Sequence, residues 1–573
     1  MLRPGLMRHS SFNLVATLLC SPIVEVSSSL GIWNSIFQVT RRASHYSAEE
    51  KLNILAKRTL RKAGIETSSK MTADILWPPE KVRGMTTLDH EAFHKTITVP
   101  VAHVSLSAVS PVFKVLKKYY LKLCNFSAIK EGPPGTNYKV VYLNPLSFPG
   151  NESKISEEID ESCKKFFKTV SSGERPVQFL TSQIELTYEN WDAPETIQAV
   201  LPLEDNGVSG YSRVGHIIHL NLKEHLHPYK NIIGKIILDK SPTEVSMVVN
   251  KVDTIDNSDN TFRCFTMEVI AGGGDTVATV KENMCTFTFD FAKVYWNPRL
   301  STEHEMVVKM LDRSDVLYDV MAGVGPFSIP AAAQRKCRVV SNDLNPESFR
   351  WLCHNVALNK VGERVTCFNQ DGGDFIRSTL KEDLIATCTD PDFQGEIHVT
   401  MNLPAIAIEF LTNFVGLLSD ANLCSDTFKL REPIVHVYMF SKDLKASSCA
   451  TRVAYYLGLV DELPDFDAEF TTKLQAYTVA AKSQKSACDE TCKETEAFTP
   501  NIKFVNDKYD IPGLIVKHLR FVRKVSPNKA MIRMSVVISK DILVKKKPVL
   551  DRREGRLQDQ HASKKRKLET ENF

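Results

Sequence analysis

Four strand-like segments, each ending in glycine or a hydrogen-bonding residue, constrain this chain more than any other feature. Val316-Leu-Tyr-Asp319 runs into Met-Ala-Gly323-Val-Gly325-Pro-Phe, and the spacing predicts a helix over 328–334. A second strand, Val339-Val-Ser-Asn342, ends at Asp343. Glycines let backbone approach a ligand closely, and an acid at the end of the next strand can accept two hydrogen bonds from a ribose. A third segment, Val365-Thr-Cys-Phe-Asn-Gln, ends at Asp371-Gly372, where a carboxylate can accept from an adenine amine. A fourth, His398-Val-Thr-Met, ends at Asn402-Leu403-Pro404-Ala405. Open α/β sheets bind ligands outside the carboxyl ends of their strands, so these four ends should converge on one cofactor of the nucleotide type.

Three readings of the glycine turn compete. A dinucleotide site calls for Gly-x-Gly-x-x-Gly or Ala, whereas Ser328 holds the third position and Pro326 follows the second glycine. A bare structural turn needs no ligand. Asp319, just before the turn, suits a cationic sulfonium better than a pyrophosphate, which favours S-adenosylmethionine.

At 573 residues the chain has room for about two to four domains. Its thirteen cysteines are scattered without a paired framework, which fits a reducing compartment. The net charge of +4 is unevenly spread. Residues 1–46 carry Arg3, Arg8, Arg41 and Arg42 against Glu25, a net of +3. Residues 541–573 carry ten Lys or Arg against six acids, a net of +4, which leaves −3 for the body between them. Any nucleic-acid surface is therefore a local patch, and Lys517-His-Leu-Arg520-Phe-Val-Arg523-Lys524 is a candidate.

Residues 1–46, rich in Arg and Ser and nearly free of acids, read as a mitochondrial presequence. The cluster Lys564-Lys-Arg-Lys567 reads equally as a nuclear-localisation signal or as a basic tail touching phosphate. The expected location is the mitochondrial matrix, with cytoplasmic and nuclear pools. No apolar run approaches the roughly 20 residues of a membrane span, so no membrane partner is expected. His216, His219, His225 and His227 are irregularly spaced, and Cys488 and Cys492 stand alone in a polar stretch, so no metal is expected.

Five regions follow from these signals: a presequence (1–46), an N-terminal module (47–165), a middle linking domain (166–295), the cofactor domain (296–540) and a basic tail (541–573). Ile232-Ile-Gly-Lys-Ile-Ile-Leu and Val245-Ser-Met-Val-Val-Asn read as β-segments, and Asn283–Asp290 alternates with period two. Val112–Leu121 has helical spacing. Asn151-Glu-Ser-Lys-Ile-Ser-Glu-Glu reads as a polar joint, and the stretches around Thr387-Cys-Thr-Asp-Pro and Lys482–Cys492 as surface insertions.

Three segments in order, Arg213-Val-Gly-His216-Ile-Ile-His-Leu, Val294-Tyr295-Trp-Asn-Pro-Arg299-Leu-Ser-Thr-Glu303-His304 and the cofactor series, resemble the eukaryotic and archaeal tRNA (guanine-N1)-methyltransferases acting at tRNA position 37. The resemblance spans roughly residues 80–540. It implies an α/β fold: a Rossmann-like class I methyltransferase domain with two smaller N-terminal α+β domains, the first recognising tRNA shape. It implies S-adenosylmethionine as cofactor, tRNA as substrate, a monomer, and support of reading-frame maintenance.

Guanine N1 carries a proton at neutral pH, so methylation calls for a general base near N1 and a donor near O6. The resemblance casts Glu303 as base and Arg213 as O6 partner, with Asn402 and Pro404 shaping the guanine pocket and Tyr295 holding the nucleotide. Read without it, Glu303 is a solvated helix-start acid and Arg213 a surface ion-pair residue. For the donor it places Asp319, Gly323 and Gly325 in the turn, Asp343 at the ribose, Leu344 against the adenosine, Asp371 and Gly372 at the adenine, and His304 and Asn402 at the methionine end. His304 stands where some family members carry Arg. Ala405 departs from the Asn/Asp-Pro-Pro-Tyr/Phe turn of amino-group methyltransferases, which argues against an exocyclic-amine target. The rivals are a class I methyltransferase with another target, such as a different tRNA base or a protein glutamine, and a non-catalytic RNA-binding factor that keeps the fold.

Overall fold

A computed structural model describes residues 75–148, 152–166, 177–202, 208, 210–252, 266–420, 430–442, 445–462, 510–526 and 529–545. The presequence, the Cys488/Cys492 stretch and the Lys564–Lys567 cluster lie outside the described residues. The chain divides into two compact units. One takes in residues 1–212, 218–250 and 268–274; the other takes in 213–217, 251–267 and 275–573. Residues 275–295 thus group with the cofactor region.

In the first unit, β1 (Lys95–Ser105), β2 (Ile129–Glu131), β3 (Tyr138–Tyr142) and β4 (Val177–Leu186) form a sheet in the order β2-β3-β1-β4. β1 shows the period-two logic of a strand covered on both faces. Ile97, Val99 and Val101 join one buried cluster, while Ala102 and Val104 join another with α1 (Val109–Leu116) and α2 (Glu152–Phe166). The expected polar joint at 151–158 is instead the start of α2: Ile155 and Ile159, four apart, are buried on one face. α3 (Ala193–Val200) begins with a capping box between Asp192 and Glu195 and with Pro194 in its first turn.

β5 (Ser212–Val214), β6 (Ile217–Leu220), β7 (Met247–Lys251) and β8 (Met267–Gly272) follow in a second sheet, with α4 (Lys230–Asp239) before β7. The strand expected at Ile232–Leu238 is thus corrected to a helix. Ile232, Ile233, Ile236 and Ile237 are all buried, at the i, i+1, i+4, i+5 spacing of a helical stripe. Isoleucine favours strands, but this spacing and burial against α3 override that preference.

In the second unit β9 (Val277–Glu282) and β10 (Cys285–Asp290) make a hairpin over Asn283 and Met284, both at positive φ (46° and 59°), as a tight two-residue turn requires. α5 (Ser301–Lys309) leads to a seven-stranded sheet of β11 (Val316–Asp319), β12 (Arg338–Asn342), β13 (Val365–Phe368), β14 (Ile397–Met401), β15 (Ile434–Ser441), β16 (Ile515–Ser526) and β17 (Lys529–Val537). Its order is β13-β12-β11-β14-β15-β17-β16. The pairs among β11–β15 are parallel, and β17 and β16 add an antiparallel edge. This is the Rossmann-like, doubly wound class I arrangement. Strand order reverses between β11 and β14, and at such a switch point the carboxyl ends splay to form the ligand crevice.

The central strands are buried on both faces, as parallel sheets require. The helix expected at 328–334 exists as α6 (Ser328–Pro330) and a π-turn at Ala331–Arg335. α7 (Pro346–Leu358), capped by Asn345, follows β12, and α8 (Gly372–Phe375) follows β13. The expected insertion at 387–391 is largely the end of α9 (Lys381–Thr389), where Thr387 and Cys388 are buried.

Candidate active site

The glycine turn is built around Asp319. Its carboxylate is fully buried and accepts from Ser328 Oγ at 2.6 Å and Thr400 Oγ1 at 2.8 Å, tying β11 to the start of α6 and to β14. Burial pushes this carboxyl up to about 6, against the pull of the two hydroxyls. Gly323 adopts φ +58°, and a Cβ there would meet nothing within 4 Å: the space before it is open. Gly325, at φ +97°, packs so tightly that a Cβ would sit 2.8 Å from Ile329 and 2.9 Å from Leu352.

Asp343 receives the Gly323 N–H at 2.7 Å and the Asn345 N–H at 2.9 Å, one on each oxygen. The Ser348 side chain also hydrogen-bonds this carboxylate, which leaves one acceptor position for a ligand hydroxyl. Burial pushes this carboxyl too up to about 6, although both amides favour its charged form. Leu344, beside it, is 45% exposed and so offers an apolar surface to a flat ligand.

Asp371 caps α8 through Oδ1, accepting from Gly373 N at 2.9 Å and Asp374 N at 3.3 Å. Its Oδ2 accepts no hydrogen bond from the described residues. Gly372 opens α8 against Phe410 and Met321. Asn369 donates to the carbonyls of Asp343 and Leu344 and so joins the second and third strand ends. Asn402 Oδ1 is buried without a hydrogen-bond partner, an expensive state unless a ligand N–H meets it. The Pro404 carbonyl is fixed by Phe440 N at 3.1 Å. An open cradle, an exposed Leu344, two carboxylates with free lone pairs and an orphaned amide oxygen fit the ribose, adenine and amino-acid parts of S-adenosylmethionine.

Glu303 is not a solvated acid: it is 4% exposed, on the first turn of α5. Oε1 accepts from Arg533 Nε at 2.6 Å and the Tyr438 hydroxyl at 3.0 Å, and Oε2 accepts from Arg520 Nε at 2.8 Å. Tyr438, Arg533 and Arg520 are register partners on β15, β17 and β16, so one cross-strand row presents all three to α5. Arg533 also donates to Ser535 Oγ at 3.1 Å. Burial and the Glu303 charge raise the Tyr438 phenol well above its usual range, so it stays a donor.

His304 is buried next to Glu303, with Nδ1 2.6 Å from Glu282 Oε1 and its ring edge-on to Phe327 of the glycine turn. A carboxylate only accepts, so Nδ1 carries the hydrogen and Nε2 is the nitrogen left for a ligand. Tyr295 is 37% exposed, and its hydroxyl accepts from Asn297 Nδ2 at 3.3 Å. Arg213 lies exposed on β5 and donates through Nε to Gly215 O at 2.7 Å; the hydrogen bonds of Glu303 go elsewhere.

Glu282, Tyr438 and Arg533 escaped the sequence reading, and Arg520 figured only as part of a basic patch. Arg533 had a signal, a lone charge within the apolar run Ala530-Met-Ile-Arg-Met-Ser-Val-Val. Glu282 and Tyr438 had none. Among the described residues no helix is long and apolar enough to cross a membrane, and no group of three His, Cys, Asp or Glu side chains could hold a metal.

Residues 278–443 match the family described as TRM5/TYW2 methyltransferase domain, and residues 195–276 match the TYW2 N-terminal domain. A tRNA (guanine(37)-N(1))-methyltransferase of Anopheles gambiae is 40% identical over 472 residues, 82% of this chain and 71% of the relative. The Xenopus tropicalis protein of that name is 45% identical over 368 residues, 64% of this chain and 71% of its own. The crystal structure of Trm5b from Pyrococcus abyssi aligns with 77% of this chain and 99% of its own at 20% identity and a TM-score of 0.44.

Proposed function

We propose, on the premise that this chain belongs to the tRNA (guanine(37)-N(1))-methyltransferase family, that it transfers the methyl group of S-adenosylmethionine to N1 of guanosine 37 in tRNA. The single observation that carries the reading onto this chain's own residues is Glu303, a buried carboxylate with one acceptor position left, set beside the glycine turn. S-adenosylmethionine supplies an electrophilic methyl on a sulfonium sulfur, which keeps the bonding pair as the methyl leaves.

The chain's residues do the rest. Asp343 and Asp371 hold the ribose and adenine, and Leu344 covers the adenosine. Asn402 gives its orphaned oxygen to an N–H of the bound reactants. Glu303 Oε2 takes the N1 proton as the N1–methyl bond forms, so no free guanine anion is needed. Arg520 and Arg533 outnumber Glu303 in charge, and this surplus suits the negative charge that builds on the base. A methyl on N1 blocks the pairing edge of the nucleoside beside the anticodon, which is the physical basis for a role in reading-frame maintenance.

The protein acts as a monomer, which light scattering in solution checks. Residues 1–46 direct it to the mitochondrial matrix, with cytoplasmic and nuclear pools; a reporter fused to them that stays out of mitochondria would reject this. The activity is tested with purified protein, labelled donor and unmodified tRNA transcripts carrying G or A at position 37. Label enters the G37 transcript alone. Equal labelling of both, or of neither, would reject the reading.

A further inference from the structure

We propose that Arg520 is a catalytic residue which binds O6 of the target guanine, so that Glu303 and Arg520 together read its N1–H/O6 edge. The inference rests on the function proposed above and adds a second donor at O6, one that the family resemblance does not assign, to the Arg213 that it casts there.

A carboxylate oxygen has two lone pairs. On Glu303 Oε1 both are taken, by Arg533 Nε and Tyr438. On Oε2 one is taken, by Arg520 Nε. A single acceptor position therefore remains, on the oxygen that Arg520 shares. A guanidinium carries five N–H groups in a fixed plane, and one Nη–H points the same way as Nε–H. Arg520 makes no further hydrogen bond to the described residues, so that hydrogen stays available next to the free Oε2 lone pair.

This pair offers an acceptor beside a donor. Guanine offers the complement, an N1–H donor beside the O6 acceptor. Adenine offers N1 as acceptor beside an amine donor and mismatches both groups. The two arginines differ in access: Arg533 is 1% exposed in the middle of β17, whereas the Arg520 side chain is 34% exposed on the edge strand β16. Of the two, Arg520 is the one exposed enough to meet an incoming base. As the proton passes from N1 to Oε2, that oxygen loses its charge while O6 gains one, so the guanidinium's strongest partner shifts from Glu303 to O6 without the side chain moving far.

The test measures methyl transfer by wild type, Arg520→Lys and Arg520→Ala on a G37 transcript and on one with 6-thioguanosine at position 37, whose sulfur is a poor acceptor. Donor affinity is measured by calorimetry alongside. Loss of a donor to a developing oxyanion costs on the order of 10²-fold in turnover. The alanine variant should lose that much with donor affinity unchanged, and lysine should recover part of it. The sulfur substitution should slow wild type markedly and the alanine variant hardly at all. Equal sulfur penalties in the two, or alanine turnover within about threefold of wild type, would overturn the assignment. Should the alanine variant fail to fold, lysine carries the same comparison: a smaller sulfur penalty than wild type supports the proposal and an equal one rejects it. Wild type that leaves the G37 transcript unmethylated sinks the function itself, a result distinct from failure at Arg520.

Discussion

At the scale of single residues, Glu303 shows how a burial cost becomes a function. A carboxylate at 4% exposure is tolerated because three donors satisfy it, two of them cationic. Glu303→Gln should keep donor affinity and lose turnover by ~10²–10⁴-fold, because the N1 proton has nowhere to go. It should also lower the melting temperature, since Arg533 is left buried without a counter-charge. Turnover near the wild-type rate would remove Glu303 from the role of base.

Asp343 makes a second prediction, on pH. Its carboxyl stands at about 6 against an ordinary 3.8, so the folded chain binds that proton more tightly than the unfolded chain does. Its contribution to stability therefore falls as pH rises between those two values. A ribose hydroxyl that donates to this carboxylate binds its ionised form more strongly. Donor affinity should climb as pH rises toward about 6 and level off above it, by calorimetry, and Asp343→Asn should bind weakly with no such climb. A flat profile in the wild type would contradict the ribose assignment.

At the scale of elements, the legible parts of the sequence were those where pattern and function coincide. β11 to β14 could be read because each apolar run is followed at once by glycine or a polar residue, at Gly323, Asp343, Asp371 and Asn402. α4 was misread because an isoleucine-rich run satisfies strand composition, and only the buried stripe Ile232, Ile233, Ile236 and Ile237 decides for a helix. α2 was missed because its apolar face is just Ile155 and Ile159 within a polar run.

The hairpin β9–β10 shows what sequence cannot supply. It sets Glu282 against His304, twenty-two positions further on, a pairing that no local pattern encodes. That contact occupies Nδ1 of His304 and leaves Nε2 as the nitrogen open to a ligand. Glu282→Gln loosens that choice, since an amide can donate or accept. The KM for donor should rise several-fold while kcat at saturating donor changes little, and a nitrogen NMR spectrum should show His304 in mixed tautomers. A fall in kcat alone would mean that the contact merely holds the hairpin.

At the scale of the whole molecule, a body of net charge −3 cannot attract tRNA uniformly, and the edge strand β16 carries a local run of cations, Lys517, Arg520, Arg523 and Lys524. Arg520 and Arg523 lie on β16, and Arg523 is held below the usual guanidinium range by burial and by the neighbouring Arg299. The same antiparallel edge, β17 and β16, carries the two arginines that clamp Glu303. An addition to the five parallel strands thus joins the chemistry to the charged surface, and nothing in the cofactor motifs announces it.

The central claim is methylation at N1, through a carboxylate that removes a ring proton. It is tested most directly by identifying the product nucleoside. Transcripts with G at position 37 are methylated, digested to nucleosides and separated by chromatography with mass detection, and a parallel sample is copied by reverse transcriptase. The account predicts 1-methylguanosine as the product and a block to copying at position 37. A methyl on the exocyclic amine, giving 2-methylguanosine and unimpeded copying, would contradict it.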